Sequence, residues 1–118
     1  MRLIDANVIL RFILHDSEDM YKQAVQVISE GAWTRVEVIA EVVYVLTKLY
    51  KISREDVSYS IKIVLGLVRI EDKQAMIETL KIFSESSLDF VDCVLIGRNH
   101  ILEEEVFSFD KKLNKHLK

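Results

Sequence analysis

The sequence predicts an α/β fold in which helices flank a short central parallel sheet in three layers. Short apolar segments alternate along the chain with longer segments whose apolar residues recur at helical spacing. This alternation is typical of parallel sheets that are covered by helices. The 118 residues contain no proline, only three glycines and no low-complexity linker. We therefore expect residues 1–118 to form a single domain, long enough to bury a core.

The first half of the chain predicts two strands and three helices. Ser17 is placed to cap the second helix, and Thr34 with Glu37 matches the capping-box pattern at the start of the third. The predicted elements are a strand at Arg2–Ile4, a helix at Asn7–Leu14, a helix from Ser17 to about Glu30, a break at Gly31–Thr34 with a brief strand around Trp33, and a long helix from Thr34 to about Tyr50.

The second half continues the alternation. Ser53 is placed to cap the next helix, and the apolar run that follows that helix is expected to be a buried strand. The predicted elements are a helix from Ser53, a strand at Leu67–Ile70, helices at Lys73–Glu85 and Asp89–His100, a strand at Glu105–Phe109 and a final helix at Asp110–Lys118.

The composition describes a soluble cytoplasmic protein. Cys93 is the only cysteine, so no disulfide can form within the chain, and its apolar neighbours predict a small buried hydrophobe. Asp5 and Arg11 interrupt the apolar N-terminus, which argues against a signal peptide. No apolar run approaches the roughly 18 residues that a membrane span needs.

Four carboxylates are the candidate functional residues. Two of them directly follow short apolar segments, where parallel strands deliver their last side chains to one edge of a sheet. The other two lie within apolar helical segments, where an unpaired charge is costly to hold. The four are Asp5, Glu41, Asp92 and Asp110. Because clustered carboxylates repel one another and the chain has no histidine or cysteine cluster, the sequence predicts a hard divalent cation, Mg²⁺ or Mn²⁺.

Each acid also has a structural explanation when it is taken alone. Glu41 shares a helix face with Lys48 and suits an exposed surface. Asp5 and Asp110 are placed to cap the helices that follow them, and Asp89 is placed to cap the helix that contains Asp92. The ordered set of four is harder to explain in this way than any single member.

The segments IDANVIL, AEVVYVL, LDFVDCVLIG and FSFDKKL resemble, in order and spacing, the four acidic motifs of PIN domains. The resemblance covers essentially the whole chain and is strongest to the small prokaryotic members that serve as VapC-type toxins. It implies a Rossmann-like fold and an endoribonuclease that uses Mg²⁺ or Mn²⁺. The acids that it makes catalytic and metal-binding are Asp5, Glu41, Asp92 and Asp110, with Asp89 as an occasional ligand.

Other motif positions are supporting or divergent. Asn7 occupies the polar position after the first aspartate, and Ser108 stands where the family commonly has Thr or Ser. Cys93 replaces the alanine that often follows the third acid, and Gly97 replaces a better helix former. Neither departure removes a ligand, so both concern local packing more than activity.

The resemblance also implies partners, namely an RNA substrate, a small antitoxin protein and a second copy in a homodimer. Four basic residues are candidates to contact the RNA backbone: Arg11, Lys48, Lys111 and Lys112. No aromatic platform interleaved with basic residues is evident, so the sequence does not indicate which RNA is bound.

Of three alternative functions, the sequence disfavours the first and leaves the other two open. A phospho-receiver domain would carry adjacent acids after its first strand and a lysine after its last, and neither feature is present. A PIN-like module that binds RNA or protein without cutting keeps the same acids. A PIN ribonuclease that processes RNA without an antitoxin is the third alternative.

Overall fold

The computed structural model describes all residues 1–118 and consists mainly of helices around a small parallel sheet. None of the helices is both long enough and apolar enough to cross a membrane. The strands are β1 (Arg2–Leu3) and β2 (Ala32–Trp33), and the helices are α1 (Ala6–Leu14), α2 (Glu18–Ser29), α3 (Val36–Tyr44), α4 (Arg54–Leu65), α5 (Lys73–Glu85), α6 (Phe90–Leu102) and α7 (Lys111–Asn114), with a π-helical turn at Val45–Leu49 after α3.

The sheet is parallel, as expected, but smaller than the sequence predicts. β1 and β2 pair in parallel with Arg2 opposite Ala32 and Leu3 opposite Trp33. The predicted strand at Leu67–Ile70 contributes only one bridge, between Trp33 and Arg69. Leu67 is 52% exposed, so this segment does not have the two buried faces that a central strand requires. The α/β class is confirmed, with β2 at the centre of the sheet.

The predicted strand at Glu105–Phe109 is wrong. No backbone group of these residues hydrogen-bonds to another backbone group. Glu103 ends α6 in the left-handed conformation, with φ of 59°, and the carbonyl of Glu104 accepts a hydrogen bond from the side chain of Asn99. These contacts direct the segment past the C-terminal end of α6, so Phe107 and Phe109 remain 84% and 92% exposed.

Two of the three predicted helix caps are confirmed. The hydroxyls of Ser17 and Ser53 accept hydrogen bonds from the backbone N–H groups of Met20 and Asp56. The capping box at Thr34 is wrong, because α3 begins two residues later and has no side-chain cap. Thr34 is buried and its hydroxyl instead donates to the carbonyl of Ile4, which ties the end of β2 to the end of β1.

The core is apolar and continuous across the domain. Every long helix except α2 contributes to its largest fully buried side chains, as do the π-helical turn, α7 and the segment after α4. These side chains are Ile9, Ile39, Leu46, Ile61, Leu65, Leu80, Ile96, Leu113, Val42, Val57, Val64 and Val68. Helices α5 and α6 form the most extensive helix pair, and α3 packs against both α1 and α6. The elements that carry the candidate acids are therefore held in place by one shared core.

Gly97 allows α6 to lie unusually close to α5. A Cβ atom at this position would meet the hydroxyl of Thr79, and it would lie 2.7 Å from the carbonyl oxygen of Ala75. Thr79 is itself buried, and its hydroxyl donates to the Ala75 carbonyl at 2.8 Å. The departure from a helix former at Gly97 therefore serves helix packing, as the sequence indicates.

Candidate active site

Asp5 lies at the carboxyl end of β1, where the chain turns directly into α1. Its backbone is extended and its Oδ1 accepts a hydrogen bond from the N–H of Val8 at 3.1 Å. The side chain is exposed. Asp5 therefore occupies the strand-end position that the sequence predicts, and it also caps the helix that follows.

Glu41 projects from the exposed face of α3. It forms no hydrogen bond or ion pair, so the pairing with Lys48 that would make it an ordinary surface residue is absent. Lys48 lies on the π-helical turn, and its side chain lines a groove with Tyr44 and Asp89. Glu41 is thus an exposed, unneutralised carboxylate on the helix that separates α1 from α6.

Asp92 lies in the first turn of α6 and is partly buried. Burial raises the pKa of its carboxyl, and the negative charges of Asp110 and Asp89 raise it further. Like charges within a few ångströms disfavour one another in this way. The structure therefore brings Asp92, Asp110 and Asp89 within electrostatic reach of one another, whereas Asp5 and Glu41 do not contribute to this effect.

Asp110 and Ser108 shape the turn that precedes α7. The Oδ1 of Asp110 accepts hydrogen bonds from the N–H groups of Lys112 and Leu113, at 2.8 and 3.3 Å. The hydroxyl of Ser108 accepts from the N–H of Asp110 at 2.9 Å. Ser108 therefore supports the backbone at the acid, and the other oxygen of Asp110 is left without a partner in the chain.

None of the five candidate carboxylates forms a salt bridge. The chain contains 16 Lys and Arg residues, and acids elsewhere do use them. Asp16 pairs with Arg11, Glu37 with Arg35, and Glu104 with Arg98. Asp5, Glu41, Asp89, Asp92 and Asp110 are therefore carboxylates whose charge no ion pair within the chain neutralises.

Carboxylate oxygens are the ligands that Mg²⁺ and Mn²⁺ prefer, so the donor chemistry of these acids fits a hard divalent cation. However, no three acidic, histidine or cysteine side chains lie close enough together to hold a metal ion. A cation bound by Asp92 and Asp110 would require their side chains, and that of a third acid, to turn toward it. The acids therefore fit a divalent cation in their ligand chemistry and charge, but not in the distances between their side chains.

The four basic candidates differ in how free they are. Lys48, Lys111 and Lys112 are exposed and form no ion pair. Arg11 is bound through one guanidinium nitrogen to both oxygens of Asp16, at 2.7 and 2.9 Å, and its Nε is buried without a partner. Arg11 is thus already engaged within the chain, whereas the three lysines can contact a polyanion.

Asn7 and Cys93 behave as supporting residues. Asn7 is exposed in the first turn of α1, where it lines a groove between α1 and α2 together with Arg11 and Gln23. Cys93 is fully buried, as expected, and burial raises the pKa of its thiol to about 11. A thiol in this setting is not a nucleophile near neutral pH.

Two features were not anticipated from the sequence. Asn99 and His100 hydrogen-bond to the C-terminal segment that carries Asp110. The rings of Phe107 and Phe109 form an exposed edge-to-face pair 5.2 Å apart, a short distance before Asp110. No periodic pattern in the sequence indicates that Asn99 and His100 bond to a distant segment. The Phe-Ser-Phe alternation is typical of a strand, so it does not indicate an exposed aromatic pair.

The family model of the PIN domain matches residues 2–116, and the chain therefore belongs to the PIN-domain family. This confirms the resemblance drawn from the four acidic motifs. A VapC ribonuclease of Aquifex aeolicus (strain VF5) is 28% identical to this chain over 123 residues, an alignment that covers 98% of the chain and 91% of that relative. No solved structure matches the chain significantly.

We expect replacement of Asp92 by asparagine to stabilise the metal-free protein near pH 7. Because the pKa of Asp92 is raised in the folded chain, the folded state binds a proton more readily than the unfolded state. Stability therefore falls as pH rises from the ordinary aspartate pKa through the raised value, and asparagine removes this loss. In thermal unfolding with a chelator present, the variant should have a higher melting temperature than the wild type at pH 7. This difference in melting temperature should disappear near pH ~3, where aspartate is protonated in both the folded and the unfolded state.

The control for this experiment is Asp19→Asn in the first turn of α2. A negative charge is favourable at that helix end, so its removal should change stability slightly in the opposite direction. A gain at Asp92 that persists unchanged at acid pH would show that the carboxyl charge is not its cause.

Proposed function

We propose that this protein is a divalent-metal-dependent endoribonuclease that hydrolyses RNA phosphodiester bonds and serves as the toxin of a toxin–antitoxin pair. The observation that carries the proposal is the set of five acids without ion-pair partners. The relative named VapC ribonuclease, which aligns over 98% of this chain, supports the same activity. An RNA substrate of this kind would be met in the cytoplasm.

The residues that we assign to catalysis and metal binding are Asp5, Glu41, Asp92 and Asp110, with Asp89 as an occasional ligand. Bound Mg²⁺ or Mn²⁺ would supply polarisation of a phosphoryl oxygen and a water of lowered pKa. The chain's own contribution is to present the carboxylates on separate elements that share one core. Asp89 ranks below Asp92 because it is exposed at the position before α6 and its side chain makes no capping bond.

A catalytically idle PIN module is the second candidate. The lack of any three acids at metal-binding separation favours it. Cleavage of mixed RNA in the presence and absence of Mn²⁺, with the Asp5→Asn variant in parallel, separates the two. Metal-dependent cleavage that the variant loses supports the nuclease, whereas RNA binding without cleavage supports the idle module. Addition of the protein encoded next to this chain tests the antitoxin, which should suppress cleavage.

We expect Mg²⁺ and Mn²⁺ to raise the melting temperature of the wild type. A cation that binds only the folded state adds its binding free energy to stability, and here it also relieves the repulsion around Asp92. At a concentration a hundredfold above the dissociation constant, the gain is about 2.7 kcal/mol. Thermal scans over a metal titration should therefore show a saturable rise in the wild type.

The matched variants are Asp5→Asn and Asp92→Asn, which keep the side-chain shape while removing one charge each. Both should show a smaller rise at every metal concentration. Equal shifts in all three proteins would indicate nonspecific ion effects, and a metal site at these acids would then be wrong.

We expect the exposed lysines beside the acids to bind the RNA backbone. Reversal of Lys48, Lys111 and Lys112 to glutamate should weaken RNA binding and leave the metal-induced rise in melting temperature intact. Each phosphate contact on a single strand contributes about 0.7 to the salt dependence of binding, so three lost contacts should reduce that slope by roughly 2. Fluorescence anisotropy with labelled RNA over a range of salt measures both quantities.

The control is a triple reversal at Lys22, Lys62 and Lys81, which are exposed on α2, α4 and α5 and form no ion pairs. It matches the change in net charge without altering the acidic surface. If both triple variants weaken binding equally, net charge and not a groove beside the acids guides the RNA.

The homodimer implied by the family is also a proposal. Helix α4 buries Val57, Ile61 and Leu65, yet it leaves Tyr59 and Ile63 more than half exposed on another face. This apolar surface is compatible with a second copy of the chain.

A further inference from the structure

The C-terminal segment that carries Asp110 is fastened to the domain at both of its ends by one buried side chain. Asn99 is 8% exposed, and its Nδ2 donates to the carbonyl of Glu104 at 3.0 Å and to the carbonyl of Lys118 at 3.4 Å. Its Oδ1 accepts from the N–H of Lys118 at 2.9 Å. A single amide on α6 therefore bridges two backbone positions that lie on either side of Asp110.

His100, the next residue on α6, adds a second attachment at the far end. Its Nε2 lies 2.6 Å from the carbonyl oxygen of His116, which can only accept, so this nitrogen donates. Its Nδ1 lies 2.6 Å from a carboxylate oxygen of Glu78 on α5. The imidazole and the carboxylate are largely buried, at 12% and 21% exposure. We call Asn99, His100 and Glu78 the C-terminal clasp.

Few polar contacts hold the segment to the domain between these attachments. Residues 105–109 make no backbone–backbone hydrogen bond, and the bonds formed by Ser108, Asp110 and Asn114 stay within the segment. Leu113 is its one fully buried side chain, at 2% exposure. The remaining polar tie is the ion pair between Glu104 and Arg98. Val106 and Leu117 are partly buried and also pack against the core. The position of Asp110 relative to α6 therefore depends on these apolar contacts, on Leu113 and on the polar attachments at the two ends.

Helix α6 carries Asn99 and His100 near its C-terminal end and Asp92 near its N-terminal end. Asp110 lies close enough to Asp92 for its charge to act on that carboxyl. Because α6 is a single helix from Phe90 to Leu102, its rigidity keeps Asn99 and His100 at a fixed distance from Asp92. Fastening both ends of the segment to α6 thus sets where Asp110 stands with respect to Asp92.

We propose that Asn99 and His100 are positioning residues that hold Asp110 opposite Asp92 by closing residues 104–118 into a loop on the end of α6. The role of Asn99 and His100 in activity rests on the proposed ribonuclease function, whereas the closure of residues 104–118 into a loop does not. Asn99 touches neither acid, so it acts through the segment. A shift of about 1 Å in a reacting group costs roughly a hundredfold in rate, so partial release of the loop should cost at least about tenfold.

The first measurement is amide hydrogen exchange on the full metal-free chain. Asn99→Ala should accelerate exchange within residues 104–118 and leave the protection of α3 and α5 unchanged. The matched control is Ile101→Ala, on the same turn of α6, since Ile101 is 43% exposed and makes no bond to the segment. His100→Gln keeps a donor that can reach the His116 carbonyl. Residues 104–118 should therefore exchange more slowly in this variant than in His100→Ala.

The second measurement is single-turnover cleavage of RNA with Mn²⁺. Asn99→Ala should lower the maximal rate at least about tenfold and change the RNA concentration at half-maximal rate less than about threefold, as expected for misplacement of a reacting group. In an Asp110→Asn background the same substitution should have little further effect, because residues that act through one another are not additive. His100→Gln should recover part of the rate that His100→Ala loses.

Four results would overturn the proposal. Unchanged cleavage by Asn99→Ala, despite faster exchange in the segment, would show that the clasp does not position Asp110. Additive losses in the double variant, or a loss of protection across the whole domain, would show a general packing role. Full cleavage activity of Asp110→Asn would show that cleavage does not need the Asp110 carboxylate, so that its positioning could not matter. Absence of cleavage by the wild type itself would instead contradict the proposed function and leave the exchange result to decide whether the loop is closed.

Discussion

Replacement of Asp5 by asparagine is expected to lower the rate of metal-dependent RNA cleavage by at least about a hundredfold while leaving the fold intact. Loss of residues that only orient a metal's ligands costs about 10–100-fold, and we assign Asp5 as a ligand itself. The fold should survive because asparagine keeps the oxygen that accepts the Val8 N–H and caps α1. Asparagine and aspartate are about equally good at this position.

The measurement pairs single-turnover cleavage with a thermal melt of the same sample. Asp5→Ala provides the comparison, since it also removes the cap and should lower stability by about 1 kcal/mol. Asp56→Asn, an exposed acid in the first turn of α4, is the control for a change of one charge elsewhere. Wild-type cleavage rates in Asp5→Asn would remove this residue from the site, and with it the assignment of the first acidic motif to catalysis.

Substitution of Gly97 by alanine should have the largest effect on stability. The added Cβ would collide with the Thr79 hydroxyl and approach the Ala75 carbonyl oxygen to 2.7 Å, and the backbone of α5 cannot turn aside as a flexible side chain can. Overpacking of this kind costs about 1–3 kcal/mol, which outweighs the better helix propensity of alanine, about 1 kcal/mol. We expect the free energy of unfolding to fall by up to about 2 kcal/mol in urea denaturation.

Gly66→Ala is the matched control, because the added Cβ would approach no atom more closely than the Ile63 carbonyl oxygen, at 3.3 Å, and the residue has an ordinary helical backbone. This variant should be nearly neutral. Thr79→Ala in the Gly97→Ala background should recover part of the loss by removing one of the two collisions. A Gly97→Ala protein as stable as the wild type would show that α5 and α6 can separate without cost.

The sequence predicts those elements whose signals are local. The bounds of α5 match the predicted Lys73–Glu85, and Ser17 and Ser53 cap the helices that they were expected to cap. Apolar spacing and capping depend only on neighbours in the chain, so they can be read without a structure. Thr34 fails as a cap because its hydroxyl bonds to the distant Ile4 carbonyl instead.

Strands and site geometry depend on distant partners, which is why they were predicted less well. The segment at Glu105–Phe109 has the alternation of a strand, but contacts at Glu104 lead it away from the sheet. The acids could be chosen because their motifs occur in order. The sequence could not predict which of the acids lie together, because the approach of Asp110 to Asp92 depends on how the C-terminal segment returns to α6.

The single buried thiol gives this chain a built-in chemical reporter of local opening. Cys93 has no exposed surface, and it follows Asp92 directly in the first turn of α6. A thiol reagent in solution can reach the sulfur only during excursions that lift this end of the helix from the core, so the labelling rate measures how often those excursions occur. Any cation or protein that ties down the acidic surface should slow the labelling of the native, unmodified chain, without an introduced probe.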